Sequence, residues 1–393
     1  MKNNQFAERV DAIKPFRVMQ LLERAAEFEE EGKRVVHFEV GEPDFATADC
    51  VVDAGIAALR DGRTKYTQAL GIPALRQAVG DYYMSLGVKV DPARVVITSG
   101  ASGGLTLLAG LLLNPSDELL ITDPGYPCNE VFAHLVGAVP RALAVSANER
   151  FQPGAAAIAA QWGEHTRGVL LASPANPTGT MLPAREIFDI AQTVAEKHGF
   201  FILDEIYQGI TGADCEYATG LSIREDLYVL NSFSKFFGMT GWRLGWLVVP
   251  EPAVDGLAKL AQNLVISPNS IAQYAALAAL GEQAMAIHRA RAVTYLERAD
   301  LLARGLRDLG FVIPVFPDGA FYLYVDVTHT GMNSHEFCWR LIEEYQVAAT
   351  PGEDFGEHLK ECYVRFAYTT DEESIQLGLD RIGEALRKWG ALT

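Results

Sequence analysis

LYVLNSFSKFFGMTGWRLGWLVV, residues 227–249, decides how the rest of this chain is read. Its two ends, 227–231 and 244–249, are short apolar runs of the kind that form strands covered on both faces. Between them Lys235 stands just past a strand end, among the hydroxyl residues Ser232 and Ser234 and the aromatics Phe233, Phe236 and Phe237. A lone lysine in a glycine-rich loop is ordinarily a solvated charge. If it is desolvated and close to other cations, its amine loses pKa and becomes a usable nucleophile toward an aldehyde. Eight residues on, Arg243 offers a planar, permanently charged fork suited to a phosphate dianion. The serines add hydroxyl donors, and the glycines let the backbone approach closely.

Outward from this loop, further strand-like runs lie at 95–98, 118–122, 138–145, 168–172 and 200–203. Helix-length segments separate them, which predicts crossover connections and a largely parallel sheet. An amphipathic pattern from Phe16 to Gly32 places Val18, Leu21, Leu22, Ala25 and Phe28 on one helical face. After Pro250 the chain reads as more helical, with a long stretch at 269–309. A second α+β section follows, with strands at 312–317, 321–327 and 363–367, a helix at 334–345 and a closing helix from Asp371. At 393 residues the chain is too long for one simple core. The expected division is an N-terminal arm contributing to a small domain (1–48), a large α/β domain (49–290) and a C-terminal α+β domain (291–393).

The net charge of −17 argues against nucleic-acid binding. The longest apolar run, 105–113, stops at Asn114-Pro115, far short of a membrane span. Residues 1–10 are polar and mixed in charge, unlike a secretory signal. Cys50, Cys128, Cys215, Cys338 and Cys362 are odd in number and without paired spacing, which fits reduced thiols in a cytoplasm. The eight histidines show no metal-ligand spacing, so no metal is expected; His134, His198 and His358 read as surface or packing residues.

Other segments carry chemistry at strand ends. FILDEIY, 201–207, is an apolar run ending in Asp204, a carboxylate that is costly there unless paired. SPANPTG, 173–179, is by itself an ordinary turn. In TSGASGG, 98–104, small residues expose backbone donors at the start of an apolar helix, a ready phosphate site without the Gly-Lys-Ser of a P-loop. DPGYP, 123–127, puts Tyr126 in a turn after a strand. KYT, 65–67, precedes a helix start. In VRF, 364–366, Arg365 sits between apolar residues, where a guanidinium needs a bidentate partner.

In this order, and over nearly the whole chain, these segments resemble the class I and II aminotransferases of the fold-type-I pyridoxal-phosphate superfamily, in particular the bacterial branch that includes many aspartate aminotransferases. The resemblance implies a mostly parallel seven-stranded sheet between helices in a large cofactor-binding domain, with a smaller α+β domain. It implies pyridoxal 5'-phosphate as cofactor, with Lys235 as Schiff-base lysine and general base. Asp204 would pair with the pyridine nitrogen, Tyr207 and Asn176 with the phenolic oxygen, and Tyr126 would stack on the ring. Gly100, Ala101, Ser102, Ser232, Ser234 and Arg243 would hold the phosphate. Tyr66 would reach the phosphate of a neighbouring subunit, which implies a homodimer. Arg365, Asn176 and the backbone of Gly41 would bind the substrate's alpha-carboxylate, and Glu205 would stand behind the cofactor's contacts. The implied reaction is ping-pong transamination between an L-amino acid and a 2-oxo acid, with 2-oxoglutarate as the expected acceptor.

Carbon–sulfur lyases and cyclopropane-forming synthases use the same cofactor residues and remain open as alternatives. A non-catalytic regulator with an aminotransferase-like domain would need a DNA-binding segment and fits poorly with an acidic chain. A plain nucleotide-binding α/β protein would leave Lys235, Arg243, Asp204 and Arg365 unexplained. Side-chain specificity stays undecided: Phe16 favours a less polar substrate, whereas Arg17 could serve a distal carboxylate or face solvent.

Overall fold

The structure, a computed structural model, describes residues 6–212 and 218–391; Cys215 and the first five residues lie outside the described residues. A two-residue strand, β1 (Val36–His37), precedes the main sheet. That sheet comprises β2 (Val95–Thr98), β3 (Glu118–Asp123), β4 (Val139–Ala144), β5 (Thr166–Ala172), β6 (Phe200–Asp204), β7 (Tyr228–Ser232) and β8 (Gly245–Val248), in the order β2-β8-β7-β6-β5-β3-β4. Strand β8 runs antiparallel to both neighbours, and the other pairings are parallel. The mostly parallel seven-stranded sheet expected from the sequence is therefore what forms.

Its inner strands are apolar on both faces because both faces are covered. Val96, Leu170, Ile202, Leu230 and Leu247 pack into one core, while Ile97, Val169, Leu203, Val229 and Trp246 pack into the other. Edge strand β4 is mostly exposed and carries Pro140, where a missing backbone donor is tolerated. Strands β2, β3, β5, β6 and β7 all point the same way, so the loops that follow them gather at one edge of the sheet. In open α/β sheets that carboxyl edge is where ligands bind.

The remaining strands are β9 (Tyr322–Asp326), β10 (Val347–Ala348), β11 (Thr350–Pro351) and β12 (Tyr363–Ala367). β11, β12 and β9 form an antiparallel sheet, and β1 pairs with β10 in parallel. The helices Arg17–Glu30, Ser334–Tyr345 and Glu372–Trp389 pack around them. Side-chain caps define several helix starts: Asn333 accepts from Glu336 N at 2.8 Å, and Asp371 accepts from Ser374 N at 2.7 Å.

Two expectations need correction. The strand expected at 312–317 is reduced to one bridge between Val312 and Asp326, because Pro314 and Pro317 lack the donors a ladder needs. The helical stretch expected at 269–309 is two helices, Ser270–Ala279 and Glu282–Asp308, broken at Leu280 and Gly281. The second of these runs unbroken through residue 290.

Candidate active site

The loops at the carboxyl edge surround a cavity of about 290 Å3. Lys235 enters it from the turn after β7, and its Nζ donates to the Gly41 carbonyl at 2.5 Å. Burial draws this amine down to about 8; Arg365 and Arg243 add to the shift, against the opposing pull of Glu42 and Asp204. Asp204, at the end of β6, is 6% exposed. Its Oδ1 accepts from Ile206 N at 3.0 Å. Burial raises the carboxyl to about 7, and neither that hydrogen bond nor Lys235 fully offsets it. Tyr207 lies one turn further on, its hydroxyl 2.8 Å from that of Tyr322. Burial pushes both phenols up.

The phosphate-like end is built from two loops. The helix Gly100–Leu112 starts at the cavity, so Ala101 and Ser102 line it next to unpaired helical N–H groups. Gly100 has φ 71°, and the Arg243 guanidinium packs over it: a Cβ there would lie 2.8 Å from Arg243 Nη2. Both backbone and space therefore require glycine. Arg243 donates to the Thr240 carbonyl at 3.0 Å. Ser234 lines the cavity, while Ser232 is fully buried behind it, with its Oγ 2.9 Å from Ser234 Oγ.

At the other end Arg365 projects from the middle of β12 and is 5% exposed. Its Nη1 donates to Asn176 Oδ1 at 2.9 Å; its Nη2 donates to the Glu39 carbonyl at 2.6 Å and to Thr350 Oγ1 at 3.2 Å. The guanidinium lies over the rings of Tyr322 and Phe355, at 4.4 and 4.9 Å. Its buried Nε has no hydrogen-bond partner among the described residues. Gly41 passes so close that a Cβ there would lie 2.6 Å from the Tyr322 hydroxyl.

The structure thus brings Gly41, Ala101, Ser102, Tyr126, Asn176, Asp204, Tyr207, Ser234, Lys235, Arg243 and Arg365 to one cavity. Gly100 and Ser232 stand one layer behind. Tyr66 lies outside this chain's cavity and is 79% exposed. Glu205 is buried beneath the site, accepting from Gly220 N at 2.7 Å and from the Thr219 hydroxyl. Sequence reasoning missed Tyr322 and Glu39, and it read Val18 and Leu22 only as a helix face. With Phe16 and Met19, these two form an apolar wall of the cavity. Arg17 is turned away, its Nε 3.9 Å from Glu353. Among the described residues no acid, histidine and cysteine cluster could hold a metal, and no helix is long and apolar enough to cross a membrane.

The sequence profile of the class I and II aminotransferases matches residues 33–382. The chain belongs to that family. The aminotransferase is 36% identical over 380 residues to the valine–pyruvate aminotransferase of Mycobacterium tuberculosis, covering 95% of this chain and 97% of the relative. Among solved structures it superposes on an aminotransferase from Mycobacterium tuberculosis with a TM-score of 0.94 at 35% identity, covering 98% of this chain and all of the other. It also superposes on the Thermus thermophilus aspartate aminotransferase solved with maleate, with a TM-score of 0.91 at 31% identity, covering 97% and 99% of the two chains. The fold is fold type I, as the sequence resemblance implied, and the family is pyridoxal-phosphate dependent.

Proposed function

We propose that this aminotransferase moves an amino group between an L-amino acid and a 2-oxo acid, in two half-reactions, on pyridoxal 5'-phosphate held by Lys235. The observation that carries the reading is the pairing of Lys235, its amine lowered to about 8, with the buried Asp204 in one cavity. The donor set fits this cofactor. Arg243, Ser234 and the N–H groups at Ala101 and Ser102 suit a phosphate, and Asp204 suits a ring nitrogen. Tyr126 offers an aromatic face, and Tyr207 and Asn176 offer polar contacts to a phenolic oxygen.

When bound, the cofactor supplies an electron sink for the pair left at the substrate's alpha carbon. The chain's own residues do the rest. Lys235 takes the alpha proton and returns it one position away, a role suited to an amine titrating near neutrality. Asp204 would hold a proton at the ring nitrogen, the ion pair offsetting the burial that otherwise raises this carboxyl. Arg365, its Nε unpartnered, takes the alpha-carboxylate and aligns the alpha C–H with the lysine. Closure of the helix Arg17–Glu30 and the C-terminal α+β section over the cavity would exclude water during the transfer.

The exposed Tyr66 supports a homodimer in which each site borrows this residue from its partner, and the free Cys50, Cys128, Cys338 and Cys362 support a cytoplasmic setting. The acceptors to test first are 2-oxoglutarate and pyruvate. The experiment is an absorbance spectrum of the purified protein, with and without a panel of L-amino acids. Loss of the cofactor band on adding one amino acid, and its return on adding a 2-oxo acid, is expected. Lys235→Ala should abolish both changes. Release of pyruvate with ammonia instead would make the enzyme a lyase, and no band after soaking with pyridoxal phosphate would sink the reading.

A further inference from the structure

The helix Arg17–Glu30 has two working faces. Leu21, Ala25 and Phe28 bury themselves against Val35, Ile342 and Ala348, a small separate core. On the adjoining face Val18, Met19 and Leu22, with Phe16 just before the helix, line the active-site cavity. The N-cap residue, Phe16, supplies no side-chain acceptor. The missing cap comes from far along the chain. Asp354 is buried, and its Oδ1 accepts from Arg17 N at 2.7 Å while its Oδ2 accepts from Val18 N at 2.8 Å. The next residue, Phe355, packs on the Arg365 guanidinium. One short segment thus touches both the proposed carboxylate-binding arginine and the first turn of the wall helix.

The other charges near the cavity have occupations of their own. Lys235, Arg243 and Asp204 belong to the proposed cofactor set and Arg365 to the carboxylate, while Glu39 accepts from His37 through Oε1 at 2.7 Å and its buried Oε2 has no hydrogen-bond partner among the described residues. Arg17, the cation nearest the wall in sequence, leans on Glu353. The wall itself is apolar.

We propose that Asp354 is a positioning residue: it holds the first turn of the helix Arg17–Glu30 so that Phe16, Val18, Met19 and Leu22 form a wall receiving the donor's side chain. The wall selects L-amino acids with apolar side chains of leucine size or larger. The substrate half of this proposal rests on the transamination reading.

The test compares the cofactor-loaded wild type with Asp354→Asn, Asp354→Ala and Glu353→Gln, using kcat/KM of the amino-donor half-reaction for alanine, leucine, phenylalanine and aspartate. A second readout, amide hydrogen exchange at residues 17–22, does not depend on turnover. In the wild type leucine or phenylalanine should exceed aspartate by about 100-fold or more. Asp354→Ala should lower kcat/KM for leucine by about 10-fold, and for alanine by less than about 2-fold, because alanine does not reach the wall. Asp354→Asn, which keeps one acceptor oxygen, should fall between, and Glu353→Gln should match the wild type. Exchange at 17–22 should quicken by about 10-fold in Asp354→Ala only.

Equal losses for alanine and leucine, or unchanged exchange, would overturn the positioning role. A wild-type preference for aspartate would overturn the wall. If no donor reacts while exchange still depends on Asp354, the transamination reading fails and the wall loses its substrate role, but the attachment of the helix stands.

Discussion

Arg365→Lys separates the proposed carboxylate site from a purely structural arginine. Three of the guanidinium's N–H groups are engaged, on Asn176, the Glu39 carbonyl and Thr350. That leaves Nε–H and one Nη1–H, on different edges of the guanidinium, so a carboxylate gains one charge-assisted hydrogen bond from it with the present partners in place. A lysine keeps the charge but cannot span these partners, so it forfeits at least one charge-assisted hydrogen bond to the substrate. Such a bond contributes about 1.5–3 kcal/mol, which corresponds to a fall of roughly 10- to 160-fold in kcat/KM for every donor. The fall should be similar for alanine and leucine, since both carry the same carboxylate. Buried acceptors left without a donor should also cost about 1–3 kcal/mol of stability, seen as a lower Tm. The assay is the amino-donor half-reaction followed by cofactor absorbance, with cofactor content and melting measured on the same preparation. A change under about 3-fold in kcat/KM, at full cofactor content, would refute the assignment. So would loss of the cofactor band with donor binding intact, which would put Arg365 at the cofactor.

Three further outcomes follow from named groups. In cofactor-free protein, an amine at about 8 is roughly one-tenth neutral at pH 7, against about one part in 3,000 at the ordinary lysine value; reductive alkylation of Lys235 by a small aldehyde should therefore level off above pH ~8, and a rate still rising past pH ~10 would contradict the desolvated site. His37 is raised to about 9, chiefly by its hydrogen bond to Glu39, with Glu29 adding to it. Its contribution is complete below the unfolded value of about 6.5 and is lost as pH rises through about 9; at up to about 3 kcal/mol before solvent screening, it should steepen the alkaline loss of stability in wild type relative to His37→Gln in denaturant titrations, and parallel curves would refute it. If Tyr66 serves the partner's site, reassociating Tyr66→Ala protomers with Lys235→Ala protomers should restore about a quarter of wild-type activity through half-native heterodimers, and no recovery would place Tyr66 elsewhere.

Much of this was readable from residues whose placement is costly. Asp204 at the end of an apolar strand and Arg365 in the middle of one each signalled a site, because buried charge needs a partner. The strand 363–367 and the helix 334–345 form over the same residues that their patterns indicated. What stayed hidden was whatever leaves no such mark. An apolar run does not state its direction, so β8 gives no sign in sequence that it runs antiparallel. Tyr322 looks like any core aromatic until the Tyr207 hydroxyl and the Arg365 guanidinium are found against it. Val18 and Leu22 repeat with helical spacing whether they face a core or a cavity, and only the packing of Leu21, Ala25 and Phe28 on the adjoining face separates the two.

The electrostatics of the cavity bind these pieces into one argument. The chain carries a net charge of −17, yet its cavity gathers three cations, Lys235, Arg243 and Arg365, against two acids, Asp204 and Glu39. Each of the three donates to neutral oxygens: Lys235 to the Gly41 carbonyl, Arg243 to the Thr240 carbonyl, and Arg365 to Asn176, the Glu39 carbonyl and Thr350. A cation already locked to a carboxylate has little attraction left for a ligand, whereas one held in place by carbonyl and hydroxyl oxygens keeps most of it. Neutral acceptors thus orient the three cations without neutralising them. The proposed ligands, a phosphate dianion at one end and a carboxylate at the other, bring the missing negative charge. Burial lowers the Lys235 amine and Arg365 and Arg243 push it the same way; the positive field of these two guanidinium groups would also hold the ligands in place.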